Sequence, residues 1–205
     1  MILRGLVDFN ISSNVPQNTI NLNVECGGGL PTNLFNIPNG SVVTLQRGCV
    51  KRKVKVLQGD ASECDFNFAD MNPITARPFQ IKSEQRFLLT FNEKTKVLRM
   101  FRAPVTKIVE RFILDQNETN NNLITFTDGT FDRLGILDKR TIINVRRGKV
   151  CRTFRIATIG DIPDGSFRLT AVNARKYGLN SGKSYQLAYN QITNNLTILM
   201  KVPNS

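Results

Sequence analysis

The feature that most constrains this chain is its similarity to itself. Residues 34–48, Leu-Phe-Asn-Ile-Pro-Asn-Gly-Ser-Val-Val-Thr-Leu-Gln-Arg-Gly, fall without a gap on residues 134–148, Leu-Gly-Ile-Leu-Asp-Lys-Arg-Thr-Ile-Ile-Asn-Val-Arg-Arg-Gly. Val42-Val43 meets Ile142-Ile143, Leu45 meets Val145, and Arg47-Gly48 meets Arg147-Gly148. Farther on, Ala76-Arg77-Pro-Phe79-Gln-Ile81 falls on Ala174-Arg175-Lys-Tyr177-Gly-Leu179, and Phe87, Leu89, Phe91 and Asn92 fall on Tyr185, Leu187, Tyr189 and Asn190. Two separate blocks in nearly one register mean a duplicated unit, and a duplicated unit is read as one structural module used twice. The chain is therefore expected to hold two copies of a small, mostly β module.

Periodicity supplies the elements. Phe87/Leu89/Phe91 and Tyr185/Leu187/Tyr189 alternate with period two, which puts the rings on one face of a strand. Asn-Glu-Lys-Thr (92–95) and Asn-Gln-Ile-Thr (190–193) read as hairpin turns, with return strands beginning at Val97 and Leu196. Short helical turns are predicted over Asp128–Leu134 and Val172–Tyr177, each stopped by a glycine, Gly135 or Gly178, that can adopt the left-handed conformation of a C-cap.

The run Phe167-Arg-Leu-Thr-Ala-Val-Asn-Ala-Arg-Lys-Tyr-Gly-Leu-Asn-Ser-Gly-Lys-Ser-Tyr-Gln-Leu, followed by a hairpin and Leu-Thr-Ile-Leu, orders itself as strand, short helix, turn and strand. That order is similar to half of a double-psi β-barrel, and Phe131-Asp-Arg-Leu-Gly-Ile-Leu-Asp-Lys-Arg-Thr-Ile-Ile-Asn-Val resembles the other half. The first copy is looser, with Pro38-Asn39-Gly40 and Pro78 in place of the usual turn residues. The resemblance implies a mainly β fold of two tandem small barrels with short helical turns. Barrels of this kind serve AAA+ unfoldase N-domains, AbrB-like regulators, aspartate decarboxylase and expansin-like proteins, so the fold by itself selects no function. The expected domain plan is an N-terminal arm at residues 1–20, a first barrel at 21–103, a linker at 104–122 and a second barrel at 123–205. In the arm, Val7, Phe9 and Ile11 alternate, a pattern suited to strand addition onto a neighbouring chain. Within the linker, residues 105–114 read as a strand that the second barrel could claim, and the Asn-rich stretch after Asp115 reads as loop.

Charge points to a partner. There are 28 Lys+Arg against 16 Asp+Glu, for a net charge of +12, which favours a polyanion. Twelve of the basic residues concentrate in two equivalent segments without an acid: Arg47, Lys51, Arg52, Lys53 and Lys55 in the first copy, and Lys139, Arg140, Arg146, Arg147, Lys149, Arg152 and Arg155 in the second. As ridges on the two barrels they would track phosphates; as plain chemistry, Lys51, Lys53 and Lys55 are also the wet side of an amphipathic strand whose Val50, Val54 and Val56 face inward. Arg47 and Arg147, each preceding a turn glycine, are the foremost candidates. Rings on periodic strand faces read as core, with Phe101, between Arg99 and Arg102, the exception that could stack on a base.

Catalytic and metal readings find little to stand on. Histidine is absent, which removes the commonest general base and the commonest zinc ligand. Asp128, Asp132 and Asp138 read as helix caps and turn residues, not as a carboxylate pair. Gly178-Leu-Asn-Ser-Gly182-Lys183-Ser184 has three residues between its glycines where a P-loop has four, and it leads into a strand, so it reads as a turn. Cys26-Gly27-Gly28-Gly29 reads as a flexible bend with no ligand. The four cysteines, Cys26, Cys49, Cys64 and Cys151, show no C-x-x-C and are expected as buried free thiols.

No apolar run is long enough for a signal peptide or a membrane span, so the chain is expected to be cytoplasmic or part of a virion or nucleoprotein assembly. The leading expectation is a non-enzymatic assembly module without cofactors that binds protein partners, with self-association through residues 1–20, while its basic ridges face nucleic acid or another polyanion. A nucleic-acid-binding regulator and a substrate adaptor for an AAA+ unfoldase are the alternatives.

Overall fold

Alternation of apolar and polar residues runs through most of the chain, and a strand with one apolar face is stable only when that face is covered. In the computed structural model, which describes residues 1–24, 26, 29–59, 66–137, 139–160 and 165–201, the solution is closure. Each half of the chain rolls its strands into a closed barrel, in which every described strand has a hydrogen-bonded neighbour on both sides over at least part of its length. The two compact units are Met1–Pro104 and Val105–Ser205.

In the first unit the strands are β1 (Ile2–Ile11), β2 (Thr19–Asn23), β3 (Val42–Arg47), β4 (Val50–Gln58), β5 (Phe68–Met71), β6 (Gln85–Asn92) and β7 (Val97–Arg102). They close in the order β1-β5-β2-β4-β3-β7-β6. The second unit has β8 (Val105–Asp115), β9 (Leu123–Thr127), β10 (Ile142–Arg147), β11 (Val150–Ile159), β12 (Ser166–Thr170), β13 (Ser184–Asn190) and β14 (Asn195–Lys201). Its circle is the same circle, strand for strand. Within the first barrel, β1 is parallel to β5 and antiparallel to β6, while β4 is parallel to β2 and antiparallel to β3. Exchanging β1, β2 and β3 for β4, β5 and β6 therefore reproduces these pairings, with β7 between β3 and β6. Each half is strand, strand, helical turn, strand, and the two halves interleave to close a seven-stranded barrel.

The duplicated unit is thus longer than the two matching blocks. Residues 1–20 do not stand apart as an arm: β1 lies between β5 and β6 in the first barrel, paired with β6 over Ile2–Phe9 and with β5 over Asp8–Ile11. Residues 104–122 are not mainly a linker, because β8 pairs with β12 and β13 in the second barrel. The reason these strands escape a sequence match is visible in their side chains. Gly5, Val7 and Asp8 of β1 stand where β8 has Ile108, Glu110 and Arg111, and Phe9/Phe112 is the shared residue.

The core of the first barrel gathers Leu3, Val7, Phe9, Ile20, Val43, Leu45, Phe87, Leu89, Phe91 and Leu98, all essentially without solvent exposure. The second is filled in the same way by Phe112, Phe126, Val145, Phe154, Phe167, Tyr185, Leu187, Tyr189 and Leu196. Two helices stand where expected, α2 (Asp128–Leu134) and α3 (Ala171–Tyr177), following α1 (Pro73–Ala76) and a 3-10 turn at Arg77–Phe79 in the first unit. Gly135 and Gly178 close α2 and α3 at φ 70° and 59°. The N-cap of α2 is Thr127 and not an aspartate; Asp128 is the first helical residue, and Asp138 lies outside the described residues. Gly178–Ser184 is a turn into β13, as its spacing implied.

The cysteines depart from expectation. Cys26 is disulfide-bonded, and Cys49 and Cys151 are free but exposed. Cys49 sits in the tight turn between β3 and β4, and Cys151 points outward from β11, so neither has a core to enter. Cys64, Gly27 and Gly28 lie outside the described residues.

Candidate polyanion-binding surface

Arg47 and Arg147 occupy matching places, and both are engaged inside the fold. Arg47 ends β3; its Nη1 donates to the carbonyls of Phe79 and Gln80, at the end of the 3-10 turn, and its guanidinium carbon lies 5.0 Å from the centroid of Phe87. Arg147 ends β10; its Nη1 donates to Tyr177 O at 2.6 Å and Gly178 O at 2.7 Å, and its guanidinium carbon lies 5.0 Å from the Tyr185 ring. A helix end leaves carbonyls unsatisfied, and a cation there both bonds them and complements the dipole. The two arginines expected to be the foremost phosphate ligands are therefore helix caps stacked on a core ring. The signal that could have identified them was the joint retention of Arg47 with Phe87 and of Arg147 with Tyr185.

Arg152 is likewise committed. Its Nη1 donates to Asn173 Oδ1 at 2.6 Å, and its guanidinium lies 5.8 Å from the Phe154 ring. Asn173 is fully buried and donates in turn to Asn121 O at 2.8 Å, while Thr170 Oγ1 donates to Asn121 Oδ1 at 2.6 Å. This network ties the loop before β9 to α3. Arg140 is half-buried close to Tyr189, where its charge opposes the rise that burial imposes on that phenol's pKa.

The remaining candidates face solvent. Lys51, Lys53 and Lys55 project from the outer side of β4, while Val54 and Val56 between and beyond them are buried. Alternate residues on a strand stand about 6.8 Å apart, so the three lysines leave one side of β4 at even intervals. Arg52, on the opposite parity at the barrel end, is also exposed. Strand register extends this wall: Lys51 pairs with Gln46, Gln46 with Arg99, Arg99 with Thr90, and Thr90 with Arg4. Arg99 and Arg4 are both exposed, and Arg4 joins the surface only because β1 belongs to the barrel. No acidic residue lies between Val42 and Gln58.

The corresponding row in the second barrel is Cys151, Arg146, Thr197, Ala188 and Lys107. Lys51 and Lys53 are matched there by Cys151 and Thr153, and Lys55 by Arg155. Arg146, Lys149 and Arg155 are exposed but lack a lysine row between them. The structure thus brings three charges of the first segment, Lys51, Lys53 and Lys55, together on one wall, where the second has Arg155 alone at the matching positions.

Other features of the described residues are apolar or structural. A cavity of about 400 Å³ in the second unit is lined by Phe112, Leu114, Ala174 and Leu179, with Arg175 at its side. Among the described residues there is no group of three or more His, Cys, Asp or Glu placed to hold a metal ion, and no helix is long and apolar enough to cross a membrane. No protein-family model matches the chain, and no match is found among the curated proteins.

Proposed function

We propose that this chain is a non-enzymatic binding module of a larger assembly, and that the outer wall of its first barrel engages a polyanion, with nucleic acid the foremost candidate. The observation that carries this reading is the row Lys51–Lys53–Lys55, continued by Arg99 and Arg4, on a rigid strand framework with no acid in the β3–β4 hairpin. A closed barrel holds such charges at fixed spacing, so binding does not require the backbone to be ordered first. Cations on such a wall neutralise phosphates without reading sequence, and the strength of binding falls with salt. Arg47 is engaged within the first barrel and Arg147 and Arg152 within the second, and none of the three is a ligand in this reading.

The test is anisotropy of a labelled oligonucleotide over a range of salt concentrations. Wild-type affinity should fall linearly with the logarithm of salt concentration. Replacing Lys51, Lys53 and Lys55 together by glutamine should flatten the slope by about 2 to 3, at roughly 0.7 to 0.9 for each phosphate no longer neutralised. Absence of binding at low salt, or a slope unchanged by the triple substitution, would remove the proposal.

A further inference from the structure

Phe101 is an exposed ring on the same wall as the basic row. It lies on β7, two residues beyond Arg99 and on the same face, and 51% of its surface is open to solvent. Its cross-strand neighbour is Leu88, whose own neighbour on β1 is Leu6, and both leucines are half-buried. The ring therefore borders an apolar strip while leaving half of itself exposed. The other rings of the β6–β7 hairpin, Phe87 and Phe91, are fully inside. On β1, beside this strip, the carboxylate of Asp8 is neutralised by Arg86, whose Nε donates to Asp8 Oδ1 at 3.0 Å.

The positions form a path. Lys55, Lys53 and Lys51 lead along β4 toward the hairpin turn; Gln46 and Arg99 carry the row across β3 to β7, about 10 Å at two strand spacings; Phe101 stands one step farther along β7. A charged track ending at an exposed ring matches what a flexible polyanion with aromatic side groups requires. Phosphates follow the cations, and one base, free of a complementary strand, lies on the ring. A duplex hides the faces of its bases and can use only the cations.

Resting on the polyanion reading above, we infer that the first barrel binds single-stranded nucleic acid in preference to duplex, with Phe101 as its base-stacking platform. The second barrel lacks the device, since Thr197 stands where the first has Arg99 and the offset that lays Leu98 on Leu196 lays Phe101 on Leu199.

The experiment measures the affinity of the full chain for three probes at one salt concentration: a labelled oligothymidylate, a blunt duplex of equal length, and inorganic polyphosphate. Each is repeated with Phe101→Ala and Phe101→Trp, with melting temperatures to confirm that these surface changes leave the fold intact. The expected result is a preference for oligothymidylate over duplex, a loss of about 5- to 150-fold for oligothymidylate in Phe101→Ala, and retention in Phe101→Trp, because the lost ring stacks on a base. Polyphosphate affinity should be unchanged by either substitution. If polyphosphate and duplex bind but Phe101→Ala binds oligothymidylate as wild type does, the stacking inference fails while the polyanion reading stands. If none of the probes binds, the polyanion reading fails with it. A Phe101→Ala variant that changes only self-association, by sedimentation, would assign the ring to a protein interface and overturn the inference.

Discussion

The two barrels share a framework and differ in what they do with their polar residues. Both carry an arginine stacked on a core ring and bonded to the end of a helical turn, at Arg47 and Arg147. Both use an asparagine, Asn92 or Asn190, to accept two backbone N–H bonds in the same hairpin turn. Both use a serine, Ser83 or Ser181, to accept from the backbone near the end of the first strand, Ile11 N or Leu114 N. Beyond this the copies part. Residues 1–104 hold 13 Lys+Arg and 8 Asp+Glu, and residues 105–205 hold 15 and 8, so the second copy is the more basic. Each copy engages three arginines within its own fold, Arg47, Arg86 and Arg102 in the first and Arg133, Arg147 and Arg152 in the second, so internal pairing does not separate them. What differs is placement: the first barrel lines three lysines along one strand, and the matching strand of the second has Cys151, Thr153 and Arg155.

The largest expected difference concerns buried ion pairs, which the copies place on different elements. In the first barrel Arg86 pairs with Asp8 across β6 and β1, at 4% and 14% side-chain exposure. In the second, Glu110 points into the barrel from β8 and meets Arg133 of α2 at 3.0 Å, where the first barrel has Val7. Removing one partner leaves a buried charge uncompensated, so Asp8→Asn and Glu110→Gln should each cost about 3–5 kcal/mol of their own barrel's stability. Denaturant titration checks this, and because all three tyrosines lie in the second barrel and the chain has no tryptophan, tyrosine fluorescence reports that barrel alone. A Glu110→Gln variant with an unshifted tyrosine transition would mean that the pair is incidental to the second barrel.

Loss of the arginine caps comes next. Arg47→Ala and Arg147→Ala should each cost about 3 kcal/mol, from charged hydrogen bonds to carbonyls together with stacking on a ring. Equal losses in the two barrels would confirm that the duplicated residue kept one role; a strong loss in only one would show that the roles have diverged.

A smaller effect separates the helix ends. Gln80 holds φ 52°, the left-handed region, at the place where the second barrel has Gly178. Gln80→Gly should stabilise the first barrel by about 1 kcal/mol, relief of strain exceeding the entropy that glycine adds to the unfolded chain. A lower melting temperature for this variant would contradict it.

The smallest effect, nil at neutral pH, appears in alkali. Burial, aided by the neighbouring Cys151, pushes the Tyr177 phenol up to about 12, and burial raises Tyr189 as well. Both groups favour the neutral form in the fold, so their contribution is complete below the ordinary tyrosine pKa of about 10 and is lost as pH rises from there toward the folded value. The first barrel has Phe79 and Phe91 at these positions. Alkaline melting curves should therefore show the second barrel weakening first, with Tyr177→Phe reducing the effect.

Much of the fold was legible because alternation and turn residues are local signals. The span of α2, the stop at Gly135 and Gly178, and the inward rings of β6 and β13 all followed from them. The first strand of each copy was not, since a closed barrel tolerates Gly5 against Ile108 and Val7 against Glu110 as long as pairing is kept. The lysine row was legible from its period of two. The role of Arg47 was not, because its partners Phe79, Gln80 and Phe87 lie 32 to 40 residues away and only closure brings them together.

The central claim, that placement on the first barrel's wall and not overall basicity makes the binding surface, is tested most directly by two charge-matched variants. Lys51→Glu/Lys53→Glu/Lys55→Glu and Arg146→Glu/Lys149→Glu/Arg155→Glu change the net charge equally, and each is titrated with the same labelled oligonucleotide at the same salt. The first variant should lose binding by well over 10-fold while the second stays close to wild type. Equal losses in the two would contradict the claim.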